Sequence, residues 1–164
     1  MVALRLIRLI ETHSDQIART LATRIRTSPK TSQLQKVPEP ELLTNLQGLL
    51  CHMSEWLLSK TETDIENRYR QIAARRAQQG IALADSCWAV VITKEYLWDF
   101  LQKEGFLRNP IELYGEIELL ALLDQFFDRA LCYMAEGYAE GKKTLEVAKP
   151  RKKQKEFNAA AFVP

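Results

Sequence analysis

Glycine and proline are scarce, 6 of each in 164 residues, roughly 7% together against the ~12% of ordinary proteins. So few breakers leave room for long helices and little for the turns of a β fold. No run approaches the ~18 consecutive apolar residues of a membrane span. The opening ten residues are interrupted by Arg5 and Arg8 and lack the small-residue cleavage site of a signal peptide, so a cytoplasmic location is the expectation. Cys51, Cys87 and Cys132 stand far apart with no CxxC and no Cys/His cluster, which argues against a structural zinc site. An odd count suits a reducing compartment, and the three read as small apolar fillers. The two histidines, His13 and His52, fall off the centres of their helix stripes and lack the i, i+4 partner of a metal site. There is no GxSxG, no HExxH and no phosphate-cradling glycine loop. The expectation is a non-enzymatic protein without metal or cofactor.

What is present is one domain of ordinary composition. Apolar residues make up 46% and charged residues 27%, which excludes a wholly disordered chain, and the length is near the ~150 residues of a single compact domain. The charge is uneven. Residues 1–141 carry 16 Lys+Arg and 19 Asp+Glu, whereas 142–164 carry 7 basic and 2 acidic residues. The division is therefore a helical body, 1–141, and a basic, solvated, flexible tail, 142–164. A tail of this kind offers contact with nucleic acid or an acidic partner as an alternative role.

Five helices follow from the apolar spacing. The first covers about 2–26, with Ile7, Ile10, Ile17, Leu21 and Ile25 on one stripe and Val2, Leu6 and Leu9 on a second. Residues 27–37 read as a polar loop. A second helix starts near Pro40 and carries Leu43, Leu46, Leu50, Met53 and Leu57. A third opens at Thr63, with Glu66 completing a capping box, and ends at Gly80. The fourth spans 82–104, with Leu83, Cys87, Val90, Leu97 and Leu101 on its buried face, and Gly105 stops it. The fifth starts at Asn109-Pro110, reaches about Glu140, and turns Leu113, Ile117, Leu120, Phe127, Leu131, Met134 and Tyr138 inward.

Charges interrupt these stripes at Arg76, Lys94 and Asp124. A charge removed from water must be paired or it costs several kcal/mol. Asp124, with Asp128 one turn on as the alternative, is therefore expected to pair with Lys94 or Arg76; the competing reading is that both long side chains snorkel to solvent. Cys87, Trp88, Val91, Trp98, Phe126 and Phe127 read either as core or as the wall of an apolar pocket between the last two helices. A second stripe on the first helix (Val2, Leu6, Leu9) and on the last (Leu119, Leu122, Phe126) would stay wet in a monomer, which points to a homodimer.

The stretch Arg76-Ala-Gln-Gln-Gly80-Ile-Ala-Leu83, followed by Val90-Val-Ile-Thr-Lys94-Glu-Tyr-Leu-Trp98, resembles the N-terminal domain of RsbR-type (RsbRD) co-antagonists of the kinase RsbT. Leu9-Ile-Glu-Thr-His-Ser-Asp-Gln-Ile17 and Asp128-Arg-Ala130 fit the same pattern, and the likeness covers about residues 1–140. It implies an all-helical, globin-like sensory domain without haem that dimerises and passes a signal to an attached output module; the expected mechanism is helix repacking in stress-response regulation, with a kinase or anti-sigma-pathway protein as the candidate partner. Arg76 and Gly80 match the family's Arg-x-x-x-Gly turn, and Lys94 stands where a basic residue is common. The sequence departs from the pattern in having no output module after the basic segment, so transmission would go to a separate protein or to a longer chain. It also lacks the Pro or Ser that often starts the helix after Gly80. Independently of the likeness, segment 82–104 has no histidine to hold iron, and Cys87 is its only soft ligand. Carriage of a small apolar ligand remains the second expectation.

Overall fold

A computed structural model of the protein describes residues 2–104 and 110–149, and of Val2 only the backbone. Among the described residues all regular structure is helical: α1 (Val2–Thr12), α2 (Ser14–Thr27), a 3-10 segment (Pro29–Lys36), α3 (Glu39–Leu50), α4 (Met53–Leu58), α5 (Glu62–Gln78), α6 (Leu83–Glu104) and α7 (Pro110–Ala148). The all-α class is as expected, while two of the five expected helices are each broken in two.

Neither break involves proline or glycine. At His13 the backbone amide and the ring Nδ1 both lie against the Leu9 carbonyl, at 3.2 and 2.9 Å. A side chain competing for one rung of the ladder bends a helix. At Cys51-His52 the chain turns, and the new N-terminus of α4 is capped from outside: Glu11 Oε1 accepts from Ser54 N at 2.7 Å and from Ser54 Oγ at 2.6 Å. A carboxylate at that position satisfies orphan amides and complements the helix dipole. The expected polar loop at 27–37 is the 3-10 segment, fixed where Thr31 Oγ1 donates to Ile25 O.

Helix α5 starts two residues earlier than expected. The sequence offers two overlapping boxes, and the one used is Thr61 with Asp64 rather than Thr63 with Glu66. Its end at Gly80 has φ of +72°, the left-handed conformation that glycine adopts without penalty. The following helix, α6, has no local cap and borrows one. Gln33 Oε1 accepts from Ala82 N at 2.8 Å, and Asp85 Oδ2 accepts from Gln33 N at 2.9 Å. This reciprocal pair replaces the missing Pro or Ser.

The core combines Ile7, Ile10, Ile17, Leu21 and Ile25 with Leu42, Leu46, Leu49, Leu50, Met53, Leu97, Leu101, Leu119 and Phe127. Each large side chain so buried contributes roughly 1.5–3 kcal/mol. The inward face of α6 is Ser86, Val90, Thr93, Leu97 and Leu101, rotated from the expected one so that Cys87 and Lys94 flank it. Helix α7 is rotated at its start: Gly115, Glu116 and Leu119 are buried, and Leu113 and Ile117 are exposed. It also runs past Glu140 to Ala148, so residues 142–148, expected in the tail, are helical. The expected stop at Gly105, the cap at Asn109 and tail residues 150–164 lie outside the described residues.

Helices α5 and α7 lie along each other in the most extensive helix pairing. A Cβ on Gly137 would sit 2.5 Å from Arg70 Cα, and one on Gly141 would sit 2.8 Å from Ala74 Cα. Those are backbone atoms, so any side chain there forces the helices apart. Gly137→Ala is expected to lower stability by about 1–3 kcal/mol, the usual cost of overpacking. Gly48→Ala, whose Cβ meets only Arg68 Nη1 at 3.7 Å, is expected to be neutral or to stabilise by up to ~1 kcal/mol through helix propensity. Urea unfolding of the two variants measures the contrast.

Candidate functional site

The polar centre of the domain forms where α5 ends. Arg76 is 3% exposed, and its guanidinium must be neutralised to stay there. Its partner comes from α3: Arg76 Nη1 lies 2.5 Å from Glu41 Oε1. Arg75 binds the same carboxylate with two hydrogen bonds of 2.7 Å, and Gln79 bridges both, accepting from Arg76 at 2.8 Å and donating to Glu41 at 3.2 Å. The Arg75 hydrogen bonds are the largest influence on Glu41, and with those from Arg76 and Gln79 they outweigh its desolvation, lowering its pKa from 4.5 to about 2.

Of the two expected partners of Asp124 the structure has Lys94; the Arg76 alternative is corrected, since Glu41 holds Arg76. Lys94 Nζ lies 2.7 Å from Asp124 Oδ1 and 3.9 Å from Asp128 Oδ1. All three are substantially exposed, so the pair is a surface clamp between α6 and α7, worth at most about 1 kcal/mol.

The six candidate pocket residues do not form one pocket. Trp88 lies under Lys30, whose Nζ is 3.6 Å from its ring centre. Phe126 packs in the core against Tyr69, Trp56 and Phe127. Trp98 lines a surface recess beside Lys94 and Leu120. Cys87 and Val91 are half-buried on α6, and burial raises the Cys87 thiol pKa, which disfavours a reactive thiolate. Phe127 alone of the six lines the central cavity. The reading of all three cysteines as buried fillers is likewise corrected, because Cys51 and Cys132 are exposed.

The candidate dimer face is corrected too. Leu6, Leu119 and Phe126 are in the core of the single chain, and Leu9 and Leu122 are half-buried. The Val2 side chain lies outside the described residues. The large exposed apolar side chains of α7 are instead Ile111, Leu113, Tyr114 and Ile117 at its start and Val147 near its end.

A cavity of about 80 Å³ lies between α3, α5, α6 and α7. Its wall is apolar (Leu42, Leu46, Ile72, Val90, Phe127, Met134), and Arg76, Arg68, Asn45, Ser86 and Thr93 also reach it. Arg68 Nη2 donates to Asn45 O at 2.7 Å, and the guanidinium sits 5.1 Å from the Trp56 ring centre. Burial raises the pKa of the neighbouring Tyr69, against an opposing influence of Arg68. Sequence reasoning missed Glu41, Arg68 and Ser86. Ser86 was detectable, since 86, 90, 93, 97 and 101 follow the helical period as well as the expected face does. Among the described residues no group of three His, Cys, Asp or Glu could hold a metal ion, and no helix is long and apolar enough to cross a membrane.

The family model described as the RsbT co-antagonist protein rsbRD N-terminal domain matches residues 15–148. The chain belongs to this family of signalling domains in stress-response regulation. No curated protein and no solved structure matches it.

The Glu41 cluster has a pH signature. A carboxylate whose folded pKa is depressed contributes stability that is present above its unfolded pKa and lost as pH falls toward the folded one. Stability should therefore decline between about pH 5 and pH 2, across the range from 4.5 to about 2, and Glu41→Gln should flatten that decline. At neutral pH Glu41→Ala is expected to cost about 3 kcal/mol, because it strands a buried guanidinium. Arg75→Ala, removing an exposed partner, should cost less than about 1 kcal/mol. Denaturant unfolding across the pH range reads both effects.

Proposed function

We propose that this RsbRD N-terminal domain is a non-enzymatic, cytoplasmic input module that dimerises and passes a signal, by movement of α7, to an RsbT-class kinase or another partner-switching protein. The observation that carries this reading is α7 itself. It has 39 residues, roughly 58 Å at 1.5 Å per residue, and its three parts differ in character. Its start exposes Ile111, Leu113, Tyr114 and Ile117 within about 160° of the helix circumference. Its middle supplies Phe127 and Met134 to the cavity wall. Beyond the glycine contacts with α5 it emerges from the body, and among the described residues 142–149 only Leu145 is not exposed.

One continuous helix thus joins an unpartnered apolar face, a partly open cavity and an exit from the domain. Helices packed through backbone contact move as units between discrete arrangements. A signal that binds one arrangement better than another shifts the population by its difference in affinity. The exposed start of α7 favours a second copy as the neighbour, since apolar side chains clustered on one face are typical of an interface.

Light scattering at high micromolar concentration should give twice the 18.9 kDa chain mass, and Ile117→Glu with Tyr114→Glu should give the single chain. A monomeric wild type, or a dimer that survives both substitutions, removes the dimer from the reading. Calorimetric titration of an RsbT-class kinase tests the partner: no heat of binding to the dimer would sink the relay.

A further inference from the structure

Two polar atoms on the central cavity have no hydrogen-bond partner in the protein, Arg68 Nε on α5 and Ser86 Oγ on α6. Ser86 is 3% exposed, so solvent does not explain it. Leaving a buried polar group unpaired costs about 1–3 kcal/mol, and here α5 and α6 each carry one such group on a residue that lines the same cavity.

Charge narrows what would satisfy them. Arg76, the other cation on the wall, is neutralised by Glu41 at 2.5 Å. Among the described residues no carboxylate lies within 4 Å of Arg68; its partners are a backbone carbonyl, the Tyr69 hydroxyl and the ring faces of Trp56 and Tyr69. Guanidinium Nε–H only donates, and a serine hydroxyl donates as readily as it accepts. Two donors, one of them cationic, fit a carboxylate. The remaining wall, including Leu46, Val90 and Phe127, fits a saturated carbon chain. The cavity is partly open to the surface, and its volume of about 80 Å³, roughly half the 150 Å³ that admits benzene, suits a small occupant.

We propose that this cavity binds a short-chain aliphatic carboxylate, its oxygens received by Arg68 Nε and Ser86 Oγ and its chain held against Leu46, Val90 and Phe127. The occupancy of the site stands on these contacts alone; its use as a signal rests on the sensory reading, through Phe127 and Met134 on α7.

The test titrates the full chain with propionate, and with propan-1-ol as the neutral counterpart, followed by amide chemical shifts. Propionate should give saturable shifts centred on Ser86, Val90 and Phe127, with propan-1-ol at least about tenfold weaker, the scale of a lost charged hydrogen bond. Arg68→Gln should weaken propionate about tenfold and leave propan-1-ol unchanged. Ser86→Ala, a small change inside a helix, should weaken propionate severalfold and carries the test if Arg68→Gln does not fold. Equal affinity for the two probes, no saturable shift, shifts confined to exposed lysines, or undiminished propionate binding by a folded variant would each overturn the assignment. No kinase is present in this titration, so failure of the site leaves the partner reading intact, and failure of kinase binding leaves the site intact.

Discussion

The burial of one guanidinium organises the middle of this domain. Arg76 is nearly inaccessible, and a charge in that position requires a counter-charge and filled hydrogen bonds. Glu41 meets the first requirement and Gln79 helps with the second, tying α3 to the end of α5. The Arg76 backbone carbonyl closes the turn as well, accepting from Ile81 N at 3.0 Å. Ile81 is fully buried, and its own carbonyl accepts from Tyr138 Oη on α7 at 2.9 Å. Three helices, α3, α5 and α7, thus meet within six residues of chain, and Gly80, at φ of +72°, makes the turn that permits it.

The second constraint is distance. Gly137 and Gly141 let α7 approach α5 to backbone contact, and Arg70 straps the outside of the seam with Glu136 and Glu140. The strap is exposed and contributes little energy, but it fixes register on a surface where the glycines supply no side-chain interlock. Shape and charge divide the work: the glycines set how close the helices lie, and the carboxylates limit how far they slide. A helix held this way has few intermediate positions, which suits an element that must occupy one packing or another.

Much of this was legible in the sequence, and the failures have identifiable causes. The stripe Ile7 to Ile25 was read correctly because five aliphatic residues keep one phase, and the buried polar member among them, Ser14, is too small to disturb it. The last helix misled because apolar residues occupy both of its sides near the start: Leu113 and Ile117 compete with Leu119 and Leu123, and only the depth of the neighbouring helices decides between them. Helix α6 misled for a different reason. Thr93 enters the core because its hydroxyl donates to Ala89 O at 2.8 Å, so its polarity is spent within its own helix. A hydropathy pattern sees a polar residue there and rotates the face by one position. The Arg76 partner was out of reach for a third reason: Glu41 precedes it by 35 positions on a helix edge, and nothing in local spacing distinguishes it from a solvated glutamate.

Ser86 and Arg68 differ from Thr93 and Arg76 in that respect. Thr93 bonds to its own helix and Arg76 to a carboxylate, so the fold completes both without help. Ser86 lies on the same inward stripe as Thr93, and an alanine there would keep the packing without stranding a hydroxyl. Arg68 lies on the same helix as Arg76, where a leucine would fill the gap beside Leu46 and Ile72. Stability alone would favour both replacements, because an incompletely satisfied polar pair is worse than an apolar filling of the same space. Groups retained against that tendency mark a position where the domain is tuned to something other than its own folding. Here both residues line one cavity, bounded in part by the helix that leaves the body.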